Sequence, residues 1–273
     1  MTNSYHRHIY ISPHLDDAVL SCGGAIARQT EAGETVLVVT LFAGDPDLTC
    51  LSPLAQDLHA SWGNPPAPYA TRRAEDRAAM HHLGAIFLHL GFREAIYRFD
   101  AGIDPLYLDE ESLFDRPHPG DAPLVARLEA ALRPLVCGLD PTIVYAPLAV
   151  GQHVDHQLVT QAASRLLSPP ETAPSLWYYE DFPYATGLIP RHMPDSVEAA
   201  LDRHNKGDWQ SEDVAIDLAP KVEAIACYHS QMQALFGDEP SMIPAVQDYA
   251  ASLSTSQPYT ERFWQRPDNT PPP

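Results

Sequence analysis

His8-Ile9-Tyr10-Ile11-Ser12-Pro13-His14-Leu15-Asp16-Asp17 is the stretch whose reading decides the fold. Residues 8–12 are β-branched and aromatic and read as a short strand, which Pro13 ends. From Asp16 to Glu31 the apolar positions Val19, Leu20, Ala25 and Ile26 recur at roughly helical spacing, and Gly33 closes the helix as a C-cap. Thr35 to Phe42 is then an apolar, β-rich run, the pattern of a strand buried on both faces of a parallel sheet. Strand, helix and strand in that order predict an α/β fold: a Rossmann-like, mostly parallel sheet flanked by helices.

Further along, residues 43–70 are rich in Pro, Gly and Asp and read as a long loop or lid. Thr71 N-caps a helix through about His82, with Leu83-Gly84 at its end. Ile86–Leu90 is the third strand, and residues 91–120 are irregular and acidic. Ala122–Cys137 is an amphipathic helix ended by Gly138, Thr142–Ala146 the fourth strand, and His153–Leu167 a further helix. Leu176–Glu180 is a fifth, aromatic strand; residues 183–217 carry no clear pattern; Leu218 to about Leu235 is helical. No repeat is present, which excludes a solenoid. One domain over residues 1–273 is expected, with its core at 8–235 and 236–273 as a C-terminal extension.

The formal charge of −19 argues against a nucleic-acid partner, since Arg72-Arg73 and Arg77, the nearest thing to a basic patch, are interrupted by Glu75 and Asp76. With 45% hydrophobic residues the chain can bury a sizeable core. Its 27 prolines, about twice the usual share of roughly 5%, sit mostly in loops. Cysteines at 22, 50, 137 and 227 form no C-x-x-C pair, a sparse pattern that points to a reducing compartment. No apolar run approaches the length of a membrane span, and residues 1–8 have no apolar signal core, so a cytoplasmic location is expected. Whether copies associate into a homo-oligomer is not legible.

Two polar motifs follow predicted strands. His14-Leu15-Asp16-Asp17 follows the first and Gly151-Gln152-His153-Val154-Asp155-His156 the fourth. In open α/β sheets ligands bind beyond the carboxyl ends of strands, so both motifs point at one edge. His153 and His156 are three apart, so on a helix their rings face the same way; one can ligate a metal and the other contact substrate. Two imidazoles and one carboxylate leave positions open for water, as a catalytic zinc site requires. Of two adjacent carboxylates, one neutralises the ion and the other carries the proton taken from the attacking water.

These two motifs together resemble those of the LmbE/PIG-L-type N-deacetylases. The resemblance implies a Rossmann-like fold, zinc as the usual metal (Fe(II) being the alternative on the donor set), and a small-molecule N-acylated sugar or glycoconjugate, such as an N-acetylglucosamine derivative, as substrate. It carries His14, Asp17 and His156 over as ligands and Asp16 as general base. His153 takes the role of stabilising the oxyanion or protonating the leaving amine, and Asp155 that of orienting a histidine. Thr71-Arg72-Arg73-Ala74-Glu75-Asp76 resembles the family's Arg-x-x-Glu helix, with Arg73 a substrate contact, and Gly91-Phe92-Arg93-Glu94 a segment in which Glu94 contacts the sugar. Lys221 with His229-Ser230-Gln231 resembles a late structural helix. The chain departs from the family's His-Pro-Asp-Asp-Glu at Leu15 and Ala18, and has Gly151 where some sugar-thiol deacetylases have tyrosine. Tyr178, Tyr179, Phe182 or Tyr184 are candidates to line the pocket in its place.

Three alternatives compete. A metallo-β-lactamase-type hydrolase shares the end of its H-x-H-x-D-H motif with His153-x-Asp155-His156 but needs a histidine at 151. A non-catalytic small-molecule binding protein on the same fold would have no use for Asp16. A nucleotide-dependent Rossmann enzyme needs a glycine-rich first turn, whereas Gly23-Gly24 fall inside the helix.

Overall fold

The computed structural model describes residues 7–63, 65–100, 104–136, 142–167, 174–187, 189, 193–204 and 208–266. Cys137 and Gly138, the expected end of the fifth helix, lie outside them, as does the proline tail. The chain runs β1 (His8–Ser12), α1 (Asp17–Glu31), β2 (Val36–Thr40), α2 (Pro53–Ser61), α3 (Pro68–His82) and β3 (Ile86–His89). A two-residue ladder, β4 (Phe99–Asp100) with β5 (Asp104–Pro105), precedes α4 (Glu110–Leu113), α5 (Ala122–Val136), β6 (Ile143–Pro147), α6 (Val154–Leu167) and β7 (Ser175–Tyr179). Then come α7 (Val197–Arg203), β8 (Gln210–Ala215), α8 (Leu218–Ile225), α9 (Met232–Phe236), α10 (Glu239–Ser252) and β9 (Thr260–Gln265).

Seven strands form one sheet in the order β3-β2-β1-β6-β7-β9-β8. The first five are parallel, and β9 joins antiparallel to both β7 and β8. The predicted α/β class and mostly parallel sheet are therefore the observed ones. Alternation sends Ile9 and Ile11 into a core with Leu128, Leu132 and Val159, and Tyr10 into a second core with Val19, Ile26 and Ile225. Helices thus cover both faces, which is why β1 and β2 are buried at every residue. From β1 the chain winds outward to β2 and β3, then returns to the other side of β1 as β6. That reversal is a topological switch point, where the segments after β1 and β6 part and leave a crevice.

Differences from the expected elements have local causes. The 43–70 segment holds α2, started by Ser52, whose side chain accepts the N–H of Ala55, and by Pro53 at the first helical position. The expected helix 218–235 is two helices, with His229 and Ser230 between them. Residues 183–217 contain α7 and β8. The expected C-terminal extension is woven into the sheet as β9. Glu261 of β9 accepts the N–H groups of Gly24 and Ala25 at 2.9 and 2.8 Å and pairs with buried Lys221 at 2.7 Å, while Lys221 donates to Ser21 O. This ion pair meets the backbone of α1 in mid-helix, at its two glycines. A Cβ on Gly24 would lie 2.6 Å from Ile216, so the close approach requires glycine there. Among the described residues, no helix is long and apolar enough to cross a membrane.

Candidate active site

The turn after β1 is shaped so that neither carboxylate is spent on capping. Asp16 occupies the N-cap of α1 but makes no side-chain cap hydrogen bond; Ser12 Oγ takes the N–H of Ala18 instead. Asp17 Oδ2 accepts the N–H of His14 at 2.7 Å, which folds the turn back and aims both side chains at the crevice. After β6, Ala149 and Gln152 have φ of +60° and Gly151 +84°. This coiled turn delivers His153 to the start of α6 and His156 to its first turn.

The two turns meet. His14 Nδ1 lies 3.1 Å, and His156 Nε2 3.2 Å, from Asp17 Oδ2. The rings of His14, His153 and His156 are 4.9 to 5.4 Å apart, and each of the three offers an atom within 4.8 Å of the others. Outer carboxylates orient the rings: His14 Nε2 lies 3.0 Å from Asp155 Oδ2, and His156 Nδ1 2.6 Å from Asp181 Oδ1. His156 Nε2 is buried and makes no hydrogen bond.

The electrostatics are those of a site short of positive charge. Five carboxylates are buried here, on Asp16, Asp17, Glu94, Asp155 and Asp181. Arg72 pairs with Glu94 and lies near Asp16, Arg98 pairs with Asp155, and among the described residues Asp17 and Asp181 pair only with histidines. Burial alone would lower both His14 and His156. Glu94 and Asp17 outweigh it for His14, which is raised well above its ordinary value, and Asp17 for His156, raised to about 9. Burial would raise Asp17, but His156 and His14 hold it well below the carboxylate range. Burial pushes Asp16 up to about 7, with Asp17 adding to the shift and Arg72 opposing it. Burial and then His14 keep His153 well below its ordinary value, so its ring is neutral.

His14, Asp16, Asp17 and His153 form part of the floor of a cavity of about 580 Å³; Asp155 and His156 lie behind it. Of the two expected substrate contacts, Glu94 lines the cavity and Arg73 does not. Arg73 turns outward to Asp45 and the carbonyl of Ala43, and Arg72 takes the inward place, 2.6 Å from Glu94 and 3.8 Å from Asp16. Successive helical residues point about 100° apart, so only one of the pair can face the cavity. Asp181 was not anticipated; its signal is a carboxylate just beyond a strand end of the same sheet edge. Of the aromatic candidates, Tyr184 lines the cavity, while Tyr178, Tyr179 and Phe182 are core. Its ring crosses that of His156 at 5.4 Å, and a Cβ on Gly151 would lie 2.8 Å from it. Tyr184 thus fills the space that a side chain at 151 would occupy.

The model of the PIG-L family, GlcNAc-PI de-N-acetylase, matches residues 9–167, from β1 through α6, the span that carries both motifs. This chain belongs to the PIG-L family. A 2'-N-acetylparomamine deacetylase of Niallia circulans is 28% identical over 257 residues, covering 88% of this chain and 86% of that protein. One of Streptomyces fradiae is 27% identical over 234 residues, covering 82% and 73%. A teicoplanin deacetylase, solved in a zinc-inhibited form, is 29% identical with a TM-score of 0.77, covering 94% of this chain and 97% of that one. A deacetylase–teicoplanin complex aligns at 28% identity and a TM-score of 0.75, covering 95% and 97%. Membership of this family removes the metallo-β-lactamase and nucleotide-dependent alternatives.

Proposed function

We propose that this PIG-L family member is a metal-dependent N-deacetylase that removes the N-acetyl group from an amino sugar carried in a larger small molecule. The observation that carries the reading is the convergence of His14 Nδ1, Asp17 Oδ2 and His156 Nε2, with the Asp16 carboxyl on the same cavity floor. The substrate class follows the relatives, which are named as deacetylases of 2'-N-acetylparomamine and of teicoplanin.

Tautomers select the ligands. In the neutral rings that a metal requires, His14 donates from Nε2 to Asp155 and leaves its Nδ1 lone pair free, and His156 donates from Nδ1 to Asp181 and leaves that of Nε2 free. Nδ1 of His153 accepts the N–H of Asp155 at 3.2 Å, so the proton of this neutral ring sits on Nε2, which is then a donor and no ligand. Without an ion, Glu94 and Asp17 favour a proton on His14 and Asp17 one on His156; a divalent cation would displace those protons and take lone pairs from His14, Asp17 and His156. Ligands of a tetrahedral ion at about 2.0–2.2 Å lie roughly 3.4 Å apart, close to the spacing of these atoms. The donor set fits a divalent ion, zinc by family habit, with Fe(II) also suited to it.

When bound, such an ion supplies Lewis acidity, polarising a carbonyl and bringing the pKa of a water towards about 7. Asp16, on the cavity floor and free of any capping hydrogen bond, takes a proton from the attacking water and returns it to the leaving amine. His153 donates from Nε2 to the oxygen on which negative charge develops. Arg72 and Glu94, bonded to each other on the wall beside the floor, offer a donor fork and an acceptor to sugar hydroxyls.

Purified protein assayed on free and glycosidically linked N-acetylated amino sugars, with detection of the released amine, tests this reading. Turnover lost on chelation and restored by zinc or by Fe(II) under anaerobic conditions is the expected result, and the more effective ion names the metal. Stoichiometric metal with no hydrolysis of any amide would favour a binding protein instead.

A further inference from the structure

Behind the floor, Asp155 is held from a direction that neither motif announces. Its side chain is fully buried and has three donors: His14 Nε2 and the N–H of Ala95 on Oδ2, and Nη1 of Arg98 on Oδ1 at 2.5 Å. Arg98 is itself fixed on every side. Its Nε and Nη2 both reach Asp121 Oδ2, at 3.1 and 2.8 Å, and Nη1 also donates to Arg93 O. Tyr107 donates to the same Asp121 oxygen at 2.7 Å. The guanidinium lies 5.4 Å from the ring centroids of both Phe42 and Tyr107.

This arrangement does two things. A carboxylate with one oxygen on His14 can rotate or shift unless the other oxygen is pinned, and Arg98 pins it with a rigid fork whose far side is anchored on Asp121. The same contacts bind the 94–121 segment, which carries Glu94, Leu113 and Phe114 of the cavity, to the carboxylate that sets the His14 ring.

Resting on the metal-dependent reading above, we infer that Arg98 is a positioning residue for the ion seat: acting through Asp155, it fixes the His14 ring and ties the cavity wall to it. Arg98 touches neither substrate nor reacting atoms in this assignment.

The test is a titration of apo-protein with Co²⁺, read by its visible absorption band, for wild type, Arg98→Met, Asp155→Asn and the double variant, with thermal melting of each. Arg98→Met is expected to weaken Co²⁺ binding about 10–100-fold and to alter the band, as loss of an outer partner does. The double variant should bind no more weakly than Asp155→Asn alone, because Arg98 works only through Asp155. A lowered melting temperature with wild-type Co²⁺ affinity and band overturns the inference, as does full additivity in the double variant. Where Arg98→Met does not fold, Arg98→Lys replaces it: charge without the fork should give a smaller but measurable loss, and unchanged affinity overturns the assignment. A wild-type protein that binds no Co²⁺ removes the ion seat, and this inference with it; a wild type that binds and an equal variant sink the Arg98 assignment alone.

Discussion

The floor of the cavity is made where β1 and β6 end, and its walls are made by α2, the 94–121 segment and the turn after β7. Floor residues follow β1, buried throughout, and β6, buried from Val144 on, and are held through carboxylate–imidazole contacts. The walls are short helices and turns packed in a third apolar cluster, with Leu54, Tyr97 and Leu113 buried, Trp62 and Phe114 half-buried at its edge, and Leu15 and Val154 of the two motifs at its base. A rigid polar floor suits one chemistry, and walls from connecting segments suit changing substrates. Relatives named for 2'-N-acetylparomamine and for teicoplanin fit that division of labour.

If the division is sound, floor and wall variants fail in different ways. The largest effect belongs to Asp16→Asn, which should lose about 10²–10⁴-fold in kcat and keep its metal. A near-wild-type rate would take the base assignment away. His156→Ala should instead lose the metal, seen by elemental analysis of the purified variant. Asp181→Asn, one shell out, should weaken metal binding by about 10–100-fold, with turnover regained at high metal concentration.

The floor was also the part legible in the sequence, for a physical reason. His14, Asp16, Asp17 and His153, and His156 just behind them, follow strands that announce themselves by apolar runs, and strand ends of a parallel sheet share an edge. Walls depend on which side of an irregular segment faces inward, and periodicity is weak there. Arg72 and Arg73 illustrate the limit: side by side in sequence, they go to the cavity and to Asp45 respectively. The spacing Tyr69, Arg72, Asp76, Ala79 of buried residues on α3 holds the answer, but its polar members hide it from a hydrophobicity pattern. Asp181 was hidden by distance, 25 residues beyond its partner. The strand role of residues 260–265 was hidden because a polar run, Thr-Glu-Arg-Phe-Trp-Gln, does not alternate cleanly.

On the wall, Trp62 stands at the C-cap of α2 and lines the cavity. Trp62→Ala removes apolar contact area and should raise KM for a large glycoconjugate by about tenfold, a loss of roughly 1–2 kcal/mol of binding. Its kcat and metal content should be unchanged, as should KM for a free N-acetylated amino sugar. An equal fall in kcat for both substrates would mean that the wall reaches the chemistry and that the division is drawn in the wrong place.

The smallest effect tests how the wall is fastened. Ser52 Oγ accepts the N–H of Ala55 at the start of α2 and lies 3.4 Å from Ile96 O, in the turn that follows Glu94. Ser52→Ala therefore loses a helix cap and loosens one tie between two wall segments. The cap is worth about 1 kcal/mol, which for a chain of this size lowers the melting temperature by roughly 2–4 °C. Because Ser52 bonds Ile96 and neither Ala95 nor Arg98, whose contacts hold Asp155 and through it His14, metal affinity should stay at the wild-type value while the melting temperature falls. A drop in metal affinity of the folded variant would show that α2 and the ion seat share one cooperative unit, and the contrast between floor and wall would then be one of sequence pattern only.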